Sequence, residues 1–221
     1  MSSKYRGIIG YLQLDDFWDS LSYNEKKYIS RYSQDQLDSE TNNPIKGEII
    51  SSNLTRLSYL YPFIGSSVTE KRWELADKLI TYCDKLDDTI IRKHFFYMNA
   101  ANCYYLQRRT REDAIEKAIQ YCKKDIEIAE QFKIDFQEDL INLAIKLNRE
   151  PRYILPYYPS FKQLCIMYEQ GNQINNALVV CNKAISLGFI NDKTKSSMIG
   201  RKSKLEKKLN VQKNTDATES S

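Results

Sequence analysis

An all-α fold of antiparallel helical hairpins is predicted by three observations. Apolar residues recur at spacings of three and four along most of the chain, which is the period of one helix face. Only 7 glycines and 5 prolines are spread over 221 residues, too few for the many turns of an all-β fold. Residues 160–187, SFKQLCIMYEQGNQINNALVVCNKAISL, read as two helices folded back on each other. Phe161, Leu164, Cys165 and Tyr168 share a face of the first helix, and Gly171-Asn172 makes the turn. Ala177, Leu178, Cys181, Ala184 and Ile185 share a face of the second. Small Ala177 and Ala184 let the two backbones approach, and bulky Phe161 and Tyr168 fill the space beside them. A chain of this length buries roughly 70% of its unfolded surface, so it needs no metal or disulfide staple.

Residues 1–46 read as a separate N-terminal helical element and loop. Leu14–Leu21, LDDFWDSL, is a short helix whose Phe17 and Trp18 stay exposed unless they close the open end of a helix stack or form a dimer contact. Ser22 and Glu25 fit the S-x-x-E capping box of a helix over Tyr23–Tyr32. Ser33 to Gly47 is polar and breaks at Asn42-Asn43-Pro44 as a loop. A helix is expected over 49–61 with Leu54, Leu57, Leu60 and Tyr61 inward, ended or kinked at Tyr61-Pro62. Gly65-Ser66-Ser67 then makes a turn. Ser67 and Glu70 give a second capping box for a helix from Val68 to Leu86, packed through Trp73, Ala76, Ile80 and Cys83.

Asp87-Asp88 or Thr89 caps the next helix, Ile90–Arg108, whose face is Tyr97, Ala100, Ala101 and Tyr104. Its partner, Arg111–Phe132, carries Ala114, Ile115, Ala118, Ile119, Cys122 and Ile126, and a further helix follows over Phe136–Asn148. Arg149–Pro159 mixes Pro151, Pro156 and Pro159 with three tyrosines and reads as an extended segment lying across the helices. Gly188 is a helix C-terminal cap. A lysine-rich helix over 192–210 closes a domain that spans 47–210, and 211–221 reads as a disordered tail.

The order aromatic, Leu, small, Tyr, then Ala, apolar, Ala at Phe161, Leu164, Cys165, Tyr168, Ala177, Cys181 and Ala184 resembles a tetratricopeptide repeat. Cys165 stands where that family has Gly, Gly171 falls one residue early, and no proline closes the unit. Tyr97, Ala100, Ala101 and Tyr104 repeat the spacing 64 residues earlier, near twice the ~34-residue period. The resemblance covers 90–132 and 159–187, and 49–86 more loosely. It implies a short TPR-like α-solenoid with a concave surface lined by the first helix of each hairpin. In that register Met98, Asn99, Asn102, Tyr105, Lys162, Ile166 and Glu169 face the groove. The function implied is a non-catalytic scaffold that binds a protein or peptide, its Asn and Tyr bonding an extended backbone and its Met and Ile holding side chains.

Chemistry-bearing motifs point elsewhere than to catalysis. His94 is the single histidine, and no G-x-S-x-G, G-x-x-x-x-G-K-[ST] or G-x-G-x-x-G occurs. Asp15-Asp16 and Asp87-Asp88 sit at helix starts, where they favour the dipole by ~0.3–1 kcal/mol each. Cys83, Cys103, Cys122, Cys165 and Cys181 fall inside helices without C-x-x-C spacing and read as reduced, buried apolar residues, with no metal or other cofactor. Residues Lys193 to Lys213 carry eight Lys or Arg against one Glu, whereas residues 1–192 are close to −1 within a total of +4. A nearly neutral body is not the footprint of a nucleic-acid surface. The alternative reading is a regulator touching nucleic acid through Arg201, Lys202, Lys204, Lys207 and Lys208. The opening MSSKYRGIIGYLQLDDFW has no signal-peptide core and no stretch approaches a membrane span, so a cytoplasmic location is expected. A homo-oligomer is compatible with this reading, and the Lys, Ile, Asn and Tyr bias with a bacterial or phage accessory protein.

Overall fold

The computed structural model describes residues 3–33, 43–49 and 51–219, with side chains as far as Val211. Among these residues there are eleven α-helices and no strand, which bears out the all-α expectation. The chain divides into two compact units, Met1–Arg92 and Lys93–Ser221, and the boundary expected at residue 46 does not coincide with this division.

The first unit holds α1 (Gly7–Tyr11), α2 (Asp15–Ser20), α3 (Tyr23–Ser33), α4 (Arg56–Thr69) and α5 (Trp73–Cys83). Phe17 and Trp18 are both buried, and the Phe17 ring lies 4.7 Å from that of Tyr82 just before the end of α5. The N-terminal helices therefore share a core with the α4–α5 hairpin. The Ser22–Glu25 capping box forms: Ser22 N–H donates to Glu25 Oε2 at 2.7 Å and Glu25 N–H to Ser22 Oγ at 3.3 Å. Glu25 also receives Lys78 at 2.8 Å, which ties α3 to α5. Gly7 has φ of +58°, and its N–H donates to Gly47 O. A Cβ there would meet the Lys46 and Pro44 carbonyl oxygens at 2.7 Å, so no larger residue fits. Most of the loop expected over 33–47 lies at 34–42, outside the described residues.

The α4–α5 hairpin differs from expectation. Residues 51–55 are not helical, and α4 starts at Arg56 behind a capping box made by Thr55 and Ser58. The Ser67–Glu70 box expected for the following helix does not form, since that helix is capped at Arg72 without a side-chain bond. Helix α4 continues through Pro62 and Gly65-Ser66-Ser67 without ending. Proline forfeits one hydrogen bond. The helix persists because Leu57, Tyr59, Leu60, Phe63 and Ile64 are all buried on both sides of it. The real turn is at Lys71, with φ of +57°, where Arg72 N–H bonds Ser67 O at 2.8 Å. The helix expected from Val68 accordingly begins at Trp73. Burial pushes the Tyr59 phenol up to about 12, and its hydroxyl lies 2.7 Å from Ser33 Oγ.

The second unit holds most of α6 (Ile90–Leu106), with α7 (Ala114–Glu127), α8 (Ala129–Lys146), α9 (Pro159–Gln170), α10 (Ile174–Leu187) and α11 (Ser197–Glu219). Ala100, Ala101, Ala114 and Ala118 are completely buried, and Tyr104 stacks on Tyr121 at 5.8 Å. The helix expected over 111–132 breaks at Ile128, which ends α7 and caps α8. That break turns Ala129 and Phe132 into the core, and α8 continues to Lys146 through most of the helix expected over 136–148. α9 and α10 form the anticipated hairpin, closed by Asn172 at φ of +55° and ended at Gly188 with φ of +88°. The extended segment covers helices only with its second half: residues 149–154 are exposed and Tyr158 is buried. α11 starts five residues later than expected and runs to Glu219, so 211–219, expected to be a disordered tail, continues the helix. VQKNTDATE contains neither glycine nor proline to stop it.

All five cysteines are free and buried. Burial pushes the Cys83 and Cys122 thiols up. Cys165 and Cys181 lie with their sulfurs 3.4 Å apart, and that hydrogen bond raises Cys165 and favours the anion on Cys181. A bulky aromatic disulfide reagent should therefore titrate no thiol in the native protein within minutes and all five after denaturation; fast native reaction would contradict the burial. Phe17→Ala should destabilise the first unit by about 3–5 kcal/mol in chemical denaturation.

Candidate functional site

The seven residues expected on a concave face fall into two strips. On α6, Met98, Asn102 and Tyr105 share one side, opposite buried Ala100 and Tyr104. Asn102 is exposed, and Met98, Asn99 and Tyr105 are half-buried. Asn99 donates to Phe95 O of its own helix at 2.7 Å, and the Arg108 guanidinium covers the Tyr105 ring at 4.2 Å. On α9, Lys162, Ile166 and Glu169 share the side opposite buried Leu164 and Tyr168.

The α9 strip is partly engaged by α11. Arg201 donates to Glu169 Oε1 at 2.7 Å, Lys208 approaches Glu169 Oε2 at 3.2 Å, and Arg201 Nε stands 3.5 Å from Asp192 Oδ2. Burial would lower the Arg201 guanidinium, but the Glu169 carboxylate outweighs it and holds it above its ordinary value. Of the five basic residues set aside for nucleic acid, Arg201 and Lys208 thus bind Glu169, and Lys202 lies 3.9 Å from Glu206. Lys204 and Lys207 are exposed.

A second concavity, not foreseen from the sequence, lies between α7, α9 and α10. It encloses about 320 Å³ and is lined by Ile126, Leu164, Tyr168, Val179 and Val180, with Lys123, Glu127 and Lys183 at its rim. Val179 is two-thirds exposed there. Its signal in the sequence is Val179 beside Val180, which widens the apolar side of α10 beyond what the α9 hairpin covers.

The most concentrated polar chemistry is internal. Asp125 on α7 is completely buried. Its Oδ1 lies 2.8 Å from His94 Nδ1 and accepts from Tyr158 Oη at 2.9 Å, and its Oδ2 accepts from Ser160 Oγ at 2.5 Å. Tyr158 Oη also donates to the Asp125 carbonyl at 2.6 Å. Rings of His94, Phe132, Tyr158, Phe161 and Phe189 surround the group, with neighbouring centroids 4.3–5.6 Å apart. Burial, then the Asp125 charge, pushes the Tyr158 phenol far up, so it stays a donor. A hydrolytic triad places histidine between serine and carboxylate. Here the carboxylate is the hub and both serine and histidine attach to it, so the histidine is not held as a base against the serine. The sequence signal for Asp125 is an acid on the apolar stripe Ala118, Cys122, Ile126.

Among the described residues no group of three or more His, Cys, Asp or Glu could hold a metal ion, and no helix is long and apolar enough to cross a membrane. No family model, curated protein or solved structure matches the chain.

Replacing Asp125 with Ala would strand the Ser160 hydroxyl and His94 in the interior, while Tyr158 would keep its bond to the main-chain carbonyl of residue 125. Each lost partner costs about 1–3 kcal/mol, so the variant should lose about 2 kcal/mol or more of unfolding free energy. A loss below about 1 kcal/mol would show that the network does not hold these helices together.

Proposed function

We propose that this chain is a non-catalytic, cytoplasmic module of stacked tetratricopeptide-like hairpins that binds a protein or peptide segment along the exposed strips of α6 and α9. The observation that carries this reading is the recurrence of one burial pattern 64 residues apart. α6 buries Ala100, Ala101 and Tyr104, and α9 buries Leu164, Cys165 and Tyr168. The same intervening positions, Met98, Asn102, Tyr105 and Lys162, Ile166, Glu169, stay at the surface or half-buried. Two helices that repeat both their core and their outer face suit the lining of a shared recognition surface better than two unrelated packing solutions. The enclosed Asp125 network supports a structural rather than a catalytic use for the only histidine, since its hub has no exposure to a substrate. The nucleic-acid alternative is the weaker reading because Arg201 and Lys208 are already spent on Glu169.

The test begins with recovery of bound protein by the tagged chain, with and without nuclease. With the partner in hand, Asn102→Ala combined with Tyr105→Ala should weaken binding by ~10-fold or more in calorimetric titration. Unchanged affinity would remove the α6 strip from the site. Recovery lost on nuclease treatment, with steep weakening as salt rises, would favour Lys204 and Lys207 as the contact instead.

A further inference from the structure

Helix α8 leaves the core soon after it starts. Only Ala129 and Phe132 are buried on it, yet Ile134, Ile141, Leu143 and Ile145 on the helix and Leu147 just past it are exposed. Leu140, Leu143 and Leu147 border a groove of about 610 Å³ closed by Pro151 and Ile154. Ile134, Ile141 and Ile145, spaced by seven and four, make a separate outer stripe. Isolated exposed apolar residues need no explanation, but a continuous set on one helix marks a contact surface. A spacing of seven and four is that of a helix–helix seam.

The charges on α8 say what covers that stripe. Glu130, Asp135, Glu138 and Asp139 stand in its first part, and Lys146, Arg149 and Arg152, with Glu150 as the one acid among them, stand at or just past its end, which is net basic. Among the described residues, Glu130, Glu138, Asp139, Lys146, Arg149 and Arg152 have no ion pair within the chain. Lys133, the one cation in the acidic half, donates to Leu187 O at 2.9 Å and is used inside the fold. An element that is acidic at one end and basic at the other, with an apolar stripe between, matches a reversed copy of itself.

We propose that a second copy of this chain covers the outer stripe, with the two α8 helices antiparallel about a two-fold axis near Ile141. Such an interface is isologous. Ile134, Ile141 and Ile145 of each copy form the apolar seam. Asp135 and Glu138 of one copy approach Lys146 and Arg149 of the other, and the same pairs recur on the far side of the axis. A small seam with exposed ion pairs gives a dimer of moderate affinity that weakens as salt rises.

Sedimentation equilibrium of the full chain should show mass rising with concentration from 26.0 kDa toward twice that value. Ile141→Glu with Ile145→Glu should weaken dimerisation by at least ~10-fold with the helical circular-dichroism signal unchanged, because both positions are exposed. The decisive arm is charge exchange. Asp135→Lys with Glu138→Lys, and separately Lys146→Glu with Arg149→Glu, should each stay monomeric alone and form a heterodimer when mixed. A wild-type chain that stays at monomer mass throughout, a dimer indifferent to Ile141→Glu and Ile145→Glu, or charge variants that do not recover on mixing would each overturn the proposal. These results are independent of the α6 and α9 strips, so failure of one proposal leaves the other standing.

Discussion

The buried carboxylate of Asp125 sets constraints that the rest of the second unit must meet. An ionised carboxylate taken out of water costs several kcal/mol unless its oxygens are satisfied. Here the partners come from α6, from the end of the extended segment and from the first turn of α9. The chain leaves α7 at Ile128, runs through all of α8 and the proline-rich segment, and returns so that Tyr158 and Ser160 reach the same side chain. The excursion is therefore pinned at its base and free at its tip. That is why Phe132 and Tyr158 are buried while residues 141–154 are mostly exposed.

The hairpins on either side of this hub obey a simpler rule. Helices approach closely where small residues meet, and the gaps beside them are filled by rings. Ala100, Ala101, Ala114 and Ala118 do this for α6 and α7, with Tyr104 stacked on Tyr121. Ala177, Ala184, Cys165 and Cys181 do it for α9 and α10, where two thiols take the place of methyl-sized groups. Cysteine serves here as a small apolar residue. Burial keeps the Cys83 and Cys122 thiols protonated, and Cys165 is raised first by its hydrogen bond to Cys181 and then by burial.

Helix identity was legible in the sequence wherever the apolar period was long and the cap local. The Ser22–Glu25 box, the Gly188 cap and the 160–187 hairpin depend on residues within one turn of each other, and they stand where expected. Boundaries that depend on distant burial were not legible. Pro62 and Gly65-Ser66-Ser67 carry every local sign of a break, but burial along α4 overrides them, and the chain reverses at Lys71 instead. Ile128 shows the converse: nothing in KDIEIAEQF announces a break, and the turn follows from the burial of Phe132 against His94 and Tyr158. Of the candidate site, periodicity was enough to group Met98 with Asn102 and Tyr105. It could not reveal that Glu169 is held by α11, because that pairing joins residues 32 and 39 positions apart.

Sequence counts treat all charges alike, whereas the fold separates those it has used from those it has not. The basic C-terminal helix looks like the chain's most interactive surface by composition, yet Arg201 and Lys208 neutralise a carboxylate of their own unit. The charges on α8 look unremarkable by count, since acids and bases nearly cancel. Their separation along one helix, with no ion pair among the described residues for Glu138, Asp139, Lys146 or Arg149, gives them a direction that the total hides. Opposite charges at the two ends of a helix attract its reversed copy and repel its parallel one, so they set orientation as well as attraction. Exposed isoleucines alone would accept any apolar neighbour. It is the charge order around Ile134, Ile141 and Ile145 that narrows the neighbour to one with the same sequence running the other way.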